Sequence, residues 1–227
     1  MSTTCCFNNT ASTYNARNQK LALIKDCLHQ LIHVAFLDLS ENSHILCVGA
    51  GTGTELLYLA KTFPNYTFTV LEPSKAMLDI CKEHIREAGF INRCTFHNGY
   101  LETLTNTRPY NGATSILVSQ FILDKQARCN FFKQIYEKLY NNGTLISADL
   151  SADISSSSYQ KLLNNWVKLT NNYESSNDLA LKLQEAYSKS VSVLPPYKIQ
   201  EIIEDAGFKE VTLFFQSLLI HSWFAKK

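Results

Sequence analysis

The sequence has no excess of charge of either sign: 21 Lys and Arg stand against 20 Asp and Glu, a net of +1. It also lacks a basic, aromatic-rich stripe, so it carries no nucleic-acid signal. No apolar run approaches the ~20 residues that span a bilayer, and no membrane partner is expected. The opening MSTTCCFNNTASTYNARNQK has no apolar stretch of the secretory-leader kind. Among seven cysteines there is no CxxC, and the neighbours Cys5 and Cys6 are badly placed to bridge. Thiols scattered in this way indicate a reducing, cytoplasmic setting. Cys81 and His84 fall three apart on a helical stretch, but the further ligands of a zinc site are missing, so no metal is expected. No internal repeat occurs, and glycine is sparse at 8 of 227 residues.

Three of those glycines crowd into five positions of ILCVGAGTGTELLYLA, residues 45–60. Glycine costs backbone entropy in regular structure, so such a cluster needs a reason. The usual one is that the backbone itself must come close to another group.

The chain around this cluster alternates short apolar strands with helices. KLALIKDCLHQLIHVAFL, 20–37, reads as an amphipathic helix, and strands follow at 44–49, 68–72, 94–99, 113–119 and 144–150. Helices fall at about 54–63, from a Ser74 cap to Gly89, and from an Asp124 cap to the Asn141-Asn142-Gly143 stop. This alternation predicts a doubly wound parallel sheet with helices on both faces. Ligands of such sheets bind beyond the carboxyl ends of the strands, where the glycines lie. Residues 151–193 break the alternation with a long Ser/Asn-rich insertion holding two helices, about 158–170 and 177–189. Pro195-Pro196, a helix at 197–206 and two final strands, joined near Gln216-Ser217, complete the chain.

Gly49, Gly51 and Gly53 form GxGxG, whereas the dinucleotide fingerprint is GxGxxG. Glu72 ends the second strand, 23 residues after Gly49. A carboxylate there accepts hydrogen bonds from both ribose hydroxyls and repels a 2′-phosphate.

GAGTG after an apolar strand, VLEPSKAML at 70–78, NGYLETL at 98–104 and LYNNGTLISADL at 139–150 together resemble class I S-adenosylmethionine-dependent methyltransferases. The tail AGFKEVTLFFQSLLIHSWFAKK is similar to that family's last helix and hairpin. The FNNTASTY start, the FFQ of the tail and the size of the insertion resemble the subgroup containing carboxy-S-adenosylmethionine synthase. The resemblance implies a Rossmann-like, seven-stranded α/β sheet, mostly parallel with an antiparallel C-terminal strand, plus a helical cap. Its divisions are an N-terminal helical segment, 1–43, over the cofactor site; a core of 44–150 and 194–227; and the cap, 151–193.

The resemblance further implies S-adenosyl-L-methionine as cofactor, with S-adenosyl-L-homocysteine as product. Gly49, Ala50, Gly51 and Gly53 would lie against its methionine and ribose parts, and Glu72 would hold the ribose diol. Pro73 and Met77 would line the adenine slot, with Gly99, Tyr100 and Leu101 along its edge. Ser119 would face the methionine moiety, and Arg17 would pair with its carboxylate. Tyr14, Gln120 and Tyr187 are the residues expected to touch the acceptor. Tyr159, Trp166 and Tyr173 punctuate the insertion at helical spacing, as packing aromatics do.

The chain departs from the family in three ways. Cys47 and Tyr100 stand where acidic residues are common. No arginine follows Arg128, whereas the carboxylated-cofactor subgroup reads its extra carboxylate with a late arginine; only Lys182 and Lys189 fall in the matching stretch. The first two departures weaken polar fixation of the cofactor, and Cys47 keeps a non-catalytic reading open. The missing arginine favours an ordinary methyltransferase, and a 45% hydrophobic chain with a cap suits a small-molecule acceptor. The alternatives are an enzyme of the carboxy-S-adenosylmethionine or tRNA-modification kind and a non-catalytic nucleotide-binding module. A homodimer stays open. Sulfonium methyl transfer is an in-line displacement, so alignment and a dry pocket are the main demands on the protein.

Overall fold

The computed structural model describes residues 3–105, 108–171 and 177–227. Seven strands form one sheet: β1 His44–Val48, β2 Thr67–Leu71, β3 Cys94–His97, β4 Tyr110–Ile116, β5 Leu139–Leu150, β6 Lys209–Ser217 and β7 Ile220–Lys226. Their order is β3-β2-β1-β4-β5-β7-β6. Strands β1 to β5 are parallel, and β7 runs antiparallel to both β5 and β6. This is the doubly wound arrangement expected, with its switch point between β1 and β4.

The helices cover both faces because alternate strand residues are apolar on each side. Ile45, Cys47, Phe68 and Val70 pack beneath α2 Ala22–Phe36, α3 Thr54–Thr62 and α4 Lys75–Glu87. Leu46, Val48, Ala113 and Leu145 pack beneath α5 Lys125–Lys138 and α8 Pro196–Asp205. A third cluster joins α6 Tyr159–Thr170 and α7 Asn177–Ser190 to Leu150 and Ile220. The two ends of the insertion are pinched together at its base: Ser151 Oγ and the Ala152 N–H both donate to the Leu194 carbonyl, at 2.7 and 3.0 Å. Tyr173 lies outside the described residues.

Two boundaries move from their expected positions. Asn141-Asn142-Gly143 does not stop α5, which ends at Lys138; β5 begins at once and absorbs the three residues as an irregularity. Tyr110 pairs with Leu139 but Gly112 with Thr144, and Asn142 takes a left-handed φ of 64°. Asparagine tolerates that conformation, so the segment bulges instead of breaking. The final turn falls at Leu218-Leu219, just beyond the expected junction.

A candidate cofactor crevice under an N-terminal helix

Beyond β1 the chain turns through Gly49, Gly51 and Gly53, with φ of 70°, 55° and 84°. The three glycines serve different ends. A side chain at Gly49 would strike Val118, and one at Gly53 would strike Cys81, so these two are fixed by packing within the protein. Gly51 faces open space, with no atom within 4 Å of where a Cβ would stand. Of the three glycines it is the one beside which the space is open. His84 of α4 donates from Nδ1 to the Thr52 carbonyl at 2.9 Å and steadies the turn from below.

Glu72 follows β2 and is buried. Its Oε2 accepts the Gly51 N–H at 2.9 Å and its Oε1 the Ser74 N–H at 2.8 Å. Each oxygen keeps a further lone pair for a donor in the crevice. Burial holds the carboxyl above its ordinary range, against the lowering effect of the two N–H groups. Asn98 closes the floor by donating to the carbonyls of Glu72 and Pro73 at 2.9 and 3.1 Å.

Helix α1, Thr3–Arg17, lies across this arrangement. Asn8 Oδ1 accepts from Ser74 Oγ at 2.7 Å and from the Ala76 N–H at 3.2 Å, at the start of α4. Asn15 Oδ1 accepts from Thr52 Oγ1 at 2.7 Å, in the glycine turn. Thr4 bonds the Tyr100 hydroxyl at 2.7 Å, and Phe7 meets Phe121 edge-on with centroids 5.3 Å apart. Burial raises the Tyr14 hydroxyl pKa, and the neighbouring Glu72 carboxylate raises it further. Tyr14 therefore lies within Coulombic range of Glu72. Arg17, by contrast, is exposed at the far end of the helix and forms no salt bridge among the described residues.

The expected residues thus divide. Gly51, Glu72 and Tyr14 lie together at the crevice, Ala50 and Pro73 are their chain neighbours, and Tyr100 is exposed and tied to Thr4 of α1. Met77 is buried on the first turn of α4, and Leu101 turns into the core beside Val48 and Leu71. Gly99 is crowded by His97 and Thr103.

Ser119 and Gln120 do not end β4, which stops at Ile116; they form a 3-10 turn beyond it. The Ser119 hydroxyl, the Gln120 backbone N–H and the Gln120 side-chain oxygen are already engaged. Ser119 Oγ donates to Asp149 Oδ2 at 2.6 Å and accepts from Arg128 Nε at 2.8 Å, so no hydroxyl donor remains for a ligand. Gln120 Oε1 accepts the Leu150 N–H, while its backbone N–H goes to Asp149 Oδ1. The Tyr187 hydroxyl accepts from Trp166 Nε1 at 2.9 Å inside the cap, and burial pushes its pKa up to about 12.

Sequence reasoning missed the pair that organises this end of the sheet. Arg128 and Asp149 are both fully buried, with Nη2 3.0 Å from Oδ2. That contact lies off the line of the N–H bonds and is Coulombic. Arg128 Nη1 also donates to the Ser192 carbonyl at 3.1 Å, tying α5 to the base of the insertion. Burial raises the Asp149 pKa, and Arg128 opposes the rise. A lone aspartate in the apolar run TLISADL was the available signal, because a buried charge requires a partner.

A third inward-facing carboxyl, on the half-buried Glu55, lies beneath the glycine turn. Glu55, on the first turn of α3, points inward near Cys47 and Thr114, and its Oε1 has no hydrogen-bond partner; nor has Thr114 Oγ1. Burial lifts Glu55 to about 7, with the Thr114 dipole lowering it somewhat. The folded chain keeps this proton to about pH 7, the unfolded chain to about 4.5. The stability that the neutral form contributes is therefore full below pH 4.5 and lost as pH rises through 7. Glu55→Gln should match the parent in thermal unfolding at pH 4 and exceed it at pH 8, by on the order of 2–3 kcal/mol. Equal stabilities at pH 8 would show that the carboxyl ionises freely in the fold.

Residues 45–143 match the methyltransferase-domain family. A carboxy-S-adenosyl-L-methionine synthase of Nautilia profundicola is 28% identical over 211 residues, covering 88% of this chain and 83% of that protein. A malonyl-[acyl-carrier protein] O-methyltransferase of Priestia megaterium is 28% identical over 141 residues, 62% of this chain and 48% of its own length. Among solved structures, an O-methyltransferase family protein from Burkholderia thailandensis superposes with a TM-score of 0.67 at 11% identity. The match covers 92% of this chain but spans only 58% of that protein.

Proposed function

We propose that the protein methylates a small molecule by in-line transfer from S-adenosylmethionine on a class I scaffold, a reading supported by the match of residues 45–143 to the methyltransferase-domain family. The observation that carries this reading is the pairing of Gly51 with Glu72: bared backbone beside a buried carboxylate that still has acceptor capacity. That combination fits the ribose and adjoining chain of S-adenosylmethionine. When bound, the cofactor supplies a methyl group already activated on a sulfonium.

The protein's own residues hold and enclose. Glu72 accepts the ribose hydroxyls, and the start of α3 directs free N–H groups toward the cofactor's carboxylate. Pro73, Met77 and Tyr100 flank the adenine. Helix α1 keeps water out, with Tyr14 facing the ribose end. The network of Arg128, Asp149, Ser119 and Gln120 fixes the floor on which the acceptor rests; Ser119 and Gln120 act here by shaping rather than by donating protons. The apolar cluster of the cap, which includes Leu117, Phe121 and Tyr187, favours an acceptor with apolar surface.

A second reading, chemistry on the carboxylated cofactor, is favoured by the length over which the chain follows the Nautilia protein. The side chains oppose it. Lys182 is exposed, and Lys189 is 70% exposed and paired with Glu185, so neither is set to bind a carboxylate in a closed site. Native mass spectrometry of the purified protein, followed by release of the bound molecule, separates the two readings. S-adenosylmethionine or S-adenosylhomocysteine is expected. The carboxylated form would establish the second reading, and failure to bind either cofactor when added would overturn both.

A further inference from the structure

Helix α2 is apolar on two opposite sides. One side, with Leu28, Ile32 and Phe36, is buried on the sheet. The other carries Leu23, Cys27, Gln30, Val34 and Leu37, all exposed. Leu23 is 84% exposed, Val34 61% and Leu37 59%, three of the most exposed large apolar side chains among the described residues. Their spacing of four, three, four and three residues forms a straight seam, the pattern by which one helix packs along another. The seam is about 21 Å long at the helical rise.

Two further observations say what covers it. At the C-terminal end of the seam lies a hollow of about 360 Å³, lined by Leu37, Leu39, Phe63, Pro64 and Tyr66, with Glu41 and Asn65 completing its wall. At its N-terminal end stands Leu23. The seam is close to symmetric about Gln30, with Leu23 and Leu37 seven residues to either side, Cys27 three before and Val34 four after, so a second α2 laid antiparallel places each Leu23 at the other copy's Leu37, beside the hollow. The charges agree with that direction. Lys20 precedes the seam, whereas Asp38 and Glu41 follow it, so the antiparallel arrangement sets cation against anion at both ends. It also sets Asp26 near His33. A parallel arrangement would set Asp26, Asp38 and Glu41 each against its own copy, with like charges opposed.

We propose that this face is the contact between two copies of the chain, packed antiparallel about a two-fold axis at Gln30. The interface is isologous, as a closed dimer requires, and each hollow receives one leucine. The active crevice is not part of it, so this inference does not depend on the cofactor assignment.

The antiparallel geometry has a chemical signature, because Cys27 faces Val34 of the second copy and not its own equivalent. In a Cys5→Ser/Cys6→Ser background, adding Val34→Cys should give a disulfide-linked dimer under mild oxidation. Seven residues apart on one helix, the two thiols are too distant to bridge within a chain. The background with Cys27 alone should give none, and a strong Cys27 cross-link there would mean parallel packing and overturn the proposal. The unmodified protein should sediment as a dimer at micromolar concentration. Leu23→Glu should sediment as a monomer with unchanged circular dichroism and melting temperature. A parent that sediments as a monomer, or a Leu23→Glu variant that stays dimeric, would remove this face as the contact.

Discussion

Glu72→Ala is expected to weaken S-adenosylmethionine binding about 100-fold or more, the largest single loss we foresee in the site. On the proposed assignment two charge-assisted hydrogen bonds to the ribose are removed, each worth about 1.5–3 kcal/mol. The Gly51 and Ser74 N–H groups lose their acceptor as well, so the turn and the start of α4 both loosen. Glu72→Gln separates these effects. Its amide oxygen can still accept one of the two N–H groups, so the fold should hold while the ribose bonds weaken. Titration calorimetry with S-adenosylmethionine reads the affinity, and thermal unfolding without cofactor reads the fold. Unchanged affinity in both variants would mean that the ribose is held elsewhere.

The largest stability effect is expected at Arg128. Arg128→Met leaves Asp149 buried without its cation, and breaking one half of a buried pair costs about 3–5 kcal/mol. For a chain of this size that is a fall of roughly 10 °C in melting temperature. The double variant Arg128→Met/Asp149→Leu removes the stranded charge and should recover most of the loss. Differential scanning calorimetry of the two variants decides it. If the single variant melts with the parent, the pair is ornamental. If the double variant melts no higher than the single, the cost lies in packing and not in charge.

What could be read in advance was what is local in the chain. Gly49, Gly51, Gly53 and Glu72 belong to one strand–helix–strand unit, so their relation is written in spacing alone. The Ser74 and Asp124 caps are as local: each side chain accepts an N–H three residues on. The strand order, too, follows from alternation and the handedness of crossovers. What escaped depends on contacts between distant segments. Arg128 and Asp149 meet only when α5 docks against the end of β5. Nothing in SQF near residue 120 announces that its polar atoms are already in use. Helix α1 is polar, without an apolar stripe. Its placement is set by Asn8, Asn15 and Thr4 finding partners in three separate loops, and sequence periodicity carries no record of that. Asn141-Asn142-Gly143 misled for a different reason, because the residues that end helices also suit bulges.

The pinch at Ser151, Ala152 and Leu194 bears on how such a protein changes over time. The two ends of the insertion meet beside the sheet and are held by two hydrogen bonds to one carbonyl. Whatever is threaded between them leaves the core geometry unaltered, and closing a longer or shorter loop costs only about 0.6 kcal/mol per doubling of its length. Mutation can therefore lengthen or vary the connection around α6 and α7 with little penalty to the sheet, provided that the side chains packed on Leu150 and Ile220 keep their apolar character. Under the proposed function, the half of the molecule assigned to the acceptor is free to diverge, while the half assigned to the cofactor stays as it is.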